Sequence, residues 1–265
     1  MTNMGTALIT GASSGIGAVY ADRLARRGYD LILVARNVER LQAVAARIAD
    51  ETGRSVNVLA ADLSDKDDLF KVEEVLRSNA GITMLVNNAG FGGVTPLLES
   101  DVNRMELMVE LNVTAPMRLA YAAAPSFVER GKGTIINISS IVAIGPEILN
   151  GVYGGSKAFI LAFTQSLQHE LADKGVRVQA VLPGGTATEF WDIAGYGDYA
   201  NSPSVMSGDD MVDAALAGLD LGEVVTIPPL QDGKLWDDYE AQRLRIAGDL
   251  AHAQPGARYL DAVAN

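Results

Sequence analysis

Residues 6–17 are Thr6-Ala7-Leu8-Ile9-Thr10-Gly11-Ala12-Ser13-Ser14-Gly15-Ile16-Gly17, a short apolar run that passes directly into a glycine-rich turn. Apolar side chains at helical spacing follow from residue 16 to about residue 28. Glycine lets a backbone turn sharply and approach a ligand closely, and the free amide groups at a helix start attract phosphate. The stretch predicts a strand, a turn and a helix that hold a dinucleotide, or else a plain connection between two elements.

The alternation of strand and helix continues along the chain. Further strands are predicted at residues 30–36, 55–61, 82–86, 133–140, 176–182 and 223–227, and helical patterns occupy residues 38–53, 65–78 and 152–173. A longer helical region is predicted through Asn112 towards Arg130, despite Pro116 and Pro125. This order is typical of a parallel sheet with helices on both faces. We predict an α/β protein with a Rossmann-type doubly wound sheet in one domain over residues 1–265, including a C-terminal extension over residues 228–265 with a helix of its own.

A tyrosine and a lysine four residues apart suggest carbonyl chemistry. Tyr153 and Lys157 would share one face of the helix over residues 152–173, and Ser140 ends the preceding strand. A nearby ammonium lowers the pKa of a phenol, so we expect Lys157 to make Tyr153 a usable acid and base. Taken alone, the pair could equally lie on a solvated helix face.

Composition excludes several classes of protein and site. The formal net charge is −12, which disfavours binding to nucleic acid or to an anionic membrane surface. The chain has no cysteine and two histidines, so we expect no disulfide, thiol catalysis or metal site. No signal peptide or membrane-spanning segment is evident, and we expect a cytoplasmic protein.

Several motifs in register resemble the short-chain dehydrogenase/reductase family. They extend over residues 10–188 and comprise Thr10-Gly11-x-x-x-Gly15-x-Gly17, Asn87-Asn88-Ala89-Gly90, Asn112, Ser140, Tyr153-x-x-x-Lys157 and Pro183-Gly184. The resemblance implies a sheet of seven strands with its ligands beyond their carboxyl ends.

The resemblance also implies roles for individual residues. Tyr153 would exchange a proton with the substrate oxygen, Ser140 would hydrogen-bond that oxygen, and Lys157 would hold the nicotinamide ribose. Asn112 would relay protons to solvent, although an amide that satisfies a helix irregularity is the alternative. The implied cofactor-binding residues are Gly11, Ser13, Ser14, Gly15, Ile16, Gly17, Arg36, Asn37, Asp62, Leu63, Asn88, Ala89, Gly90, Tyr153, Lys157, Pro183, Gly184, Thr186 and Thr188.

The end of the second predicted strand bears on cofactor choice. Arg36 stands where an acid would favour NAD, and a guanidinium can bind the additional phosphate of NADP. We therefore expect NADP rather than NAD, unless Arg36 is simply an exposed charge. Asp62, after the third strand, is either an adenine contact or a capping residue.

Residues 187–207 are rich in aromatic side chains and glycine, and we expect them to form a lid over an apolar substrate. The expected substrate contacts are Ile141, Ile144, Phe190, Trp191 and Tyr196. The alternative for the aromatic residues is ordinary core or subunit contact.

These features predict an NADP-dependent oxidoreductase that interconverts a small apolar ketone and a secondary alcohol. A 3-oxoacyl-thioester reductase and a non-catalytic dinucleotide sensor of the same fold remain alternatives. The resemblance implies a homo-tetramer or homo-dimer.

Overall fold

A computed structural model describes residues 4–194 and 197–263. The chain forms two compact units, residues 1–229 and 230–265. The first unit contains the predicted parallel sheet, with strands β1 Thr6–Thr10, β2 Asp30–Ala35, β3 Val56–Ala60, β4 Ile82–Asn87, β5 Gly133–Ile138, β6 Val176–Val181 and β7 Val225–Thr226. Seven strands pair in the order β3-β2-β1-β4-β5-β6-β7. The Rossmann-type fold is therefore confirmed.

Helices cover both faces of the sheet in the first unit. They are α1 Gly15–Arg26, α2 Val38–Thr52, α3 Lys66–Ser78, α4 Val102–Val109, α5 Ala115–Glu129, α6 Gly151–Leu171, α7 Phe190–Ala194 and α8 Gly208–Leu221. One apolar core contains buried side chains of α1, α2 and α8 against the sheet, and a second contains those of α3, α5 and α6. In α2 the buried face is formed by Leu41, Ala45 and Ile48. Val38, the first residue of this helix, lies outside that face and is 41% exposed.

A strand-order switch positions the site. β1 lies between β2 and β4, so the chain leaves β1 for one half of the sheet and later returns beside it through β4. In open parallel sheets, ligands bind beyond the carboxyl ends of strands at such a point. The glycine-rich turn follows β1 there, and the Asn87–Gly90 motif follows β4.

The second unit contains α9 Lys234–Gly248 and α10 Ala257–Val263. α9 confirms the predicted helix in the C-terminal extension, and no residue of α9 is buried. The description of residues 1–265 as one domain stays a prediction. None of the helices described is long and apolar enough to cross a bilayer.

Candidate active site

The glycine-rich turn has a backbone that side chains would disrupt. Gly11 and Gly15 have φ values of 66° and 52°, a region that favours glycine. A Cβ atom at Gly17 would lie 2.3 Å from the carbonyl oxygen of Gly11, so this position has no room for a side chain. Ser14 is the N-cap of α1 without a side-chain hydrogen bond to the helix. The start of α1 is therefore presented to the cleft, as a phosphate-binding turn requires.

The Asn87–Gly90 motif holds this turn in place. Asn88 donates from Nδ2 to the carbonyl oxygens of Thr10 and Gly11, at 2.9 and 3.2 Å. The Thr10 hydroxyl accepts from the backbone amides of Asn88 and Ala89, at 2.9 and 3.0 Å. The two motifs therefore form one hydrogen-bonded floor at the switch between β1 and β4.

Asn112 lies in a π-helical turn, Glu110–Thr114, between α4 and α5. Its side chain donates to the Phe91 carbonyl at 2.8 Å and to Ser156 Oγ at 3.2 Å, and accepts from the Phe91 amide at 3.1 Å. Pro116 has no N–H, so the Asn112 carbonyl loses the donor that a regular α-helix would supply four residues later. Both interpretations of Asn112 thus have a physical basis, because its side chain hydrogen-bonds a neighbouring segment at the point of a helix irregularity.

Ser140, Tyr153 and Lys157 meet at the carboxyl end of β5. All three are buried, at 9%, 6% and 7% exposure. Ser140 lies near enough to the Tyr153 hydroxyl to oppose the rise of its pKa, and the Ser140 hydroxyl accepts from the Val142 amide at 3.3 Å. Lys157 Nζ donates to the Ile138 carbonyl at 2.9 Å and lies 5.9 Å from the centroid of the Tyr153 ring. A proton donor, a hydrogen-bond donor and an amine therefore share one small volume.

The expected lowering of the Tyr153 pKa is wrong for this structure. Burial raises the pKa of Tyr153 to about 12, and the nearby Ser140 hydroxyl only partly opposes the rise. Burial also lowers the pKa of Lys157 to about 8, so the amine loses its charge more readily than an exposed lysine would. Desolvation dominates both groups, and Tyr153 keeps its proton near neutral pH.

One cleft of about 800 Å³ joins these residues to the glycine-rich turn. The predicted residues that line it are Gly11, Ser13, Ser14, Gly15, Ile16, Arg36, Asn37, Asp62, Leu63, Asn88, Ala89, Gly90, Ser140, Ile141, Tyr153, Lys157, Pro183, Gly184, Thr186, Thr188, Phe190 and Trp191. Gly17 and Asn112 lie behind its wall. Ile144 is 38% exposed and is not among the lining residues, while Tyr196 lies outside the described residues.

The end of the cleft beyond β2 is polar and charged. Arg36 is largely exposed, and its guanidinium lies 3.8 Å from the Asp62 carboxylate. Asp62 also accepts from the Ser64 amide and hydroxyl, at 3.0 and 2.6 Å, so it serves as a turn residue as well as a wall of the cleft. Asn37 accepts from the Arg40 amide at 3.0 Å and caps α2.

Sequence reasoning missed Arg40. Its side chain lines the same end of the cleft and forms an ion pair of 2.6 Å with Glu189. Its position in the sequence could have indicated this location. Arg40 follows Arg36 by four residues, in the first turn of α2, and so places a second cation near the predicted phosphate site.

Within the segment predicted to be a lid, residues 187–207, the short helix α7 lies beside Tyr153. The Phe190 ring lies 5.8 Å from the Tyr153 ring, and Trp191 donates from its indole nitrogen to the Thr186 carbonyl at 2.9 Å. Arg104 of α4 donates to the Ile193 carbonyl at 2.9 Å, near the end of α7. Further apolar lining residues not predicted are Phe91, Val94, Leu111, Val142, Ile148 and Ile193. Apolar and aromatic side chains therefore cover the Tyr153 end of the cleft.

A family model described as short chain dehydrogenase matches residues 5–194. The chain belongs to the short chain dehydrogenase family. The matched range includes the glycine-rich turn, the Asn87–Gly90 motif and the buried Ser140, Tyr153 and Lys157.

Solved structures of family members resemble nearly the whole chain. A short-chain dehydrogenase from Sphingobium yanoikuyae in complex with NADPH is 48% identical, with a TM-score of 0.93, covering 97% of this chain and 100% of that one. The bulky-bulky ketone specific alcohol dehydrogenase from Comamonas testosteroni is 43% identical, with a TM-score of 0.90 and coverages of 98% and 100%.

More distant curated relatives act on different substrates according to their names. A serine 3-dehydrogenase of Agrobacterium fabrum is 35% identical over 79% of this chain and 83% of its own length. A very-long-chain 3-oxoacyl-CoA reductase of Anas platyrhynchos is 34% identical over 71% of this chain and 62% of its own length. The family is therefore shown, while its members differ in substrate.

Proposed function

We propose that this short chain dehydrogenase is an NADP-dependent oxidoreductase that interconverts an apolar ketone and a secondary alcohol. The observation that carries the proposal is one cleft that joins a phosphate-binding turn to the buried Ser140, Tyr153 and Lys157. A dinucleotide fits this cleft because Gly11, Gly15 and Gly17 leave its backbone accessible, and Arg36 provides a cation at the far end. The NADPH complex of the Sphingobium relative supports the choice of NADP.

The chain itself supplies the proton and the orientation of the substrate. NADPH, when bound in this cleft, would supply the hydride for reduction of a carbonyl carbon. Tyr153 donates its proton to the carbonyl oxygen, and Ser140 donates a hydrogen bond to the same oxygen as negative charge develops there. Because burial raises the Tyr153 pKa to about 12, the phenol is the prevailing form near neutral pH, as reduction requires.

Lys157 and Asn112 act behind the reacting atoms in this proposal. Lys157 binds the nicotinamide ribose, and its Nζ atom is held toward the cleft by the Ile138 carbonyl. Asn112 holds the turn beside that amine through its hydrogen bonds to the Phe91 backbone. The three groups lie close together, because a Cβ atom at Gly90 would be 2.8 Å from Asn112 Oδ1 and 3.7 Å from Lys157 Nζ. A proton that returns to Tyr153 passes Lys157 and Asn112.

Apolar and aromatic lining residues favour a ketone with bulky apolar substituents. Phe190 and Trp191 of α7 line this part of the cleft together with Ile141 and Leu149. The named substrate class of the Comamonas relative agrees with this chemistry. A 3-oxoacyl thioester is the second candidate, favoured by the oxoacyl-CoA reductase relative.

We also propose assembly through the outer surface of α4, α5 and α6. Large apolar side chains are exposed there, among them Leu107, Val109, Tyr121 and Phe159. Burial of such side chains between two copies would remove apolar surface from water.

The decisive variant is Tyr153→Phe. It removes the donated proton without emptying the space, so we expect kcat to fall by roughly 10³-fold or more while NADPH still binds. The measurement follows nicotinamide absorbance over bulky ketones and a 3-oxoacyl thioester, with NADPH and NADH in parallel, and nucleotide binding by calorimetry. Tyr239→Phe, at a residue of α9 that is 45% exposed and does not line the described cleft, is the matched control.

Retained turnover in Tyr153→Phe would refute the assignment of the acid. A parent chain that binds NADPH and reduces no carbonyl compound would instead favour the non-catalytic sensor. Preference for the thioester over the ketones would select the second candidate.

A further inference from the structure

An ion pair among the residues that line the cleft joins two segments far apart in sequence. Arg40 lies in the first turn of α2, and Glu189 directly precedes α7. Their side chains meet at 2.6 Å across a separation of 149 residues. Both side chains line the cleft and both are 52% exposed, so the pair remains accessible to a charged ligand.

Arg40 shares its end of the cleft with Arg36. Asn37 lies between them in sequence and fixes the backbone of Arg40 by capping α2. Arg36 has Asp62 at 3.8 Å, a looser pair than the one that Arg40 makes. Two guanidinium groups near one site suit a phosphate monoester, which is close to a dianion at neutral pH.

Glu189 links this charged end to the lid. The next two residues are Phe190, whose ring packs on Tyr153, and Trp191, which is 8% exposed and bonded to the Thr186 carbonyl. A displacement of Glu189 therefore acts directly on the side chains that cover the reactive tyrosine.

We propose that Arg40 is a second determinant of NADP specificity and that the ribose 2′-phosphate competes with Glu189 for its guanidinium, which couples recognition of that phosphate to the lid. The inference rests on the proposed function. A pair of single charges at this exposure is weak. A phosphate near −2 is therefore able to displace the carboxylate, and the two anions repel each other at the same cation.

Adenosine 2′,5′-bisphosphate and AMP test this coupling, because they differ in the 2′-phosphate and neither carries the nicotinamide ring. The chain has two tryptophans, and the background variant Trp236→Phe keeps only Trp191. Binding is measured by calorimetry, and exposure of Trp191 by acrylamide quenching. The variants are Arg40→Gln and Glu189→Gln. Arg27→Gln, which breaks the exposed pair with Asp220 at 2.9 Å, is the control.

We expect the bisphosphate to increase Trp191 quenching in the background protein and AMP to leave it unchanged. Arg40→Gln should weaken bisphosphate binding by about tenfold, because one charge-assisted contact to the 2′-phosphate is lost. AMP lacks that phosphate, so its binding should change by less than about twofold. Glu189→Gln should tighten bisphosphate binding by about threefold, because the competing carboxylate is gone. It should also raise Trp191 quenching before any ligand is added, because the ion pair that links Arg40 to the segment before Trp191 is lost.

Equal bisphosphate affinity in Arg40→Gln and the background protein would overturn the proposal, as would bisphosphate binding without a change in Trp191 quenching. In both cases NADPH would still bind, so the proposed function would survive. A background protein that binds neither the bisphosphate nor NADPH would overturn the proposed function and this inference together.

Discussion

At the scale of single residues, burial decides the chemistry of the Tyr153 and Lys157 pair. The two side chains lie on one face of α6, as their spacing predicts, and both are almost fully buried. Burial disfavours the charged form of each group, so the phenol pKa rises and the amine pKa falls. Tyr153 therefore keeps its proton near neutral pH, while Lys157 gives up its charge more readily than an exposed lysine would.

The buried amine predicts a pH dependence of stability. The pKa of Lys157 is about 8 in the folded chain against an ordinary value of 10.5. The unfolded chain therefore binds more protons between these values, and the cost of burying the ammonium is complete below pH about 8 and fades as pH rises. From pH 7 to pH 10, we expect the parent to gain roughly 2–3 kcal/mol in free energy of unfolding relative to Lys157→Met.

Urea denaturation of the parent and Lys157→Met at several pH values measures this difference. Lys132→Met, at an exposed position, is the control for the loss of a surface lysine. A parent-minus-variant difference that does not change with pH would contradict the burial argument.

At the scale of elements, two helical segments at the site differ from a regular long helix, since one is interrupted and the other is short. The predicted helical region through Asn112 divides into α4, a π-helical turn and α5, because Pro116 withholds an amide. α7 is short and lies on Tyr153 through Phe190. A Cβ atom at Gly92 would be 2.3 Å from the Phe190 ring, so the ring occupies a fitted space. Phe190 therefore limits the room beside the reactive hydroxyl.

Phe190→Ala should broaden the substrate range toward bulkier ketones. Removal of the ring opens space next to Tyr153 without touching the nucleotide turn. We expect the ratio of kcat/KM for a bulky ketone to that for a small ketone to rise by about tenfold, equivalent to about 1.4 kcal/mol.

Phe70→Ala provides the control, since Phe70 lies on α3, is 53% exposed and is not among the residues that line the cleft. An unchanged ratio in Phe190→Ala would show that the ring does not limit the substrate.

At the scale of the whole molecule, the sheet brings together residues that are distant in sequence. The switch between β1 and β4 places the turn at Gly11 beside Asn88, and β5 carries Ser140 to the same edge. Ion pairs tie the covering helices to one another, such as Arg23 of α1 with Asp213 of α8 at 2.7 Å and Arg118 of α5 with Glu73 of α3 at 2.5 Å. All described residues of the cleft belong to the first compact unit.

Removal of residues 230–265 should therefore leave nucleotide binding intact. We expect the Kd for NADPH to change by less than about twofold, because no residue that lines the described cleft is removed. Calorimetry measures the Kd, and circular dichroism with thermal melting shows whether the shortened chain is folded.

A folded, shortened chain with NADPH affinity reduced tenfold or more would show that the C-terminal unit contributes to the nucleotide site. Cytoplasmic location and the number of subunits stay predictions from the sequence.

The sequence by itself determined the order of elements and the motif residues of the site. Apolar periodicity identified the strands, and glycines at 11, 15 and 17 marked the turn, because local steric rules act on neighbouring residues. Only the tertiary structure decided the burial of Tyr153 and Lys157 and the pairing of Arg40 with Glu189. Burial and distance depend on how segments far apart in the chain pack, and spacing along one segment carries no measure of either.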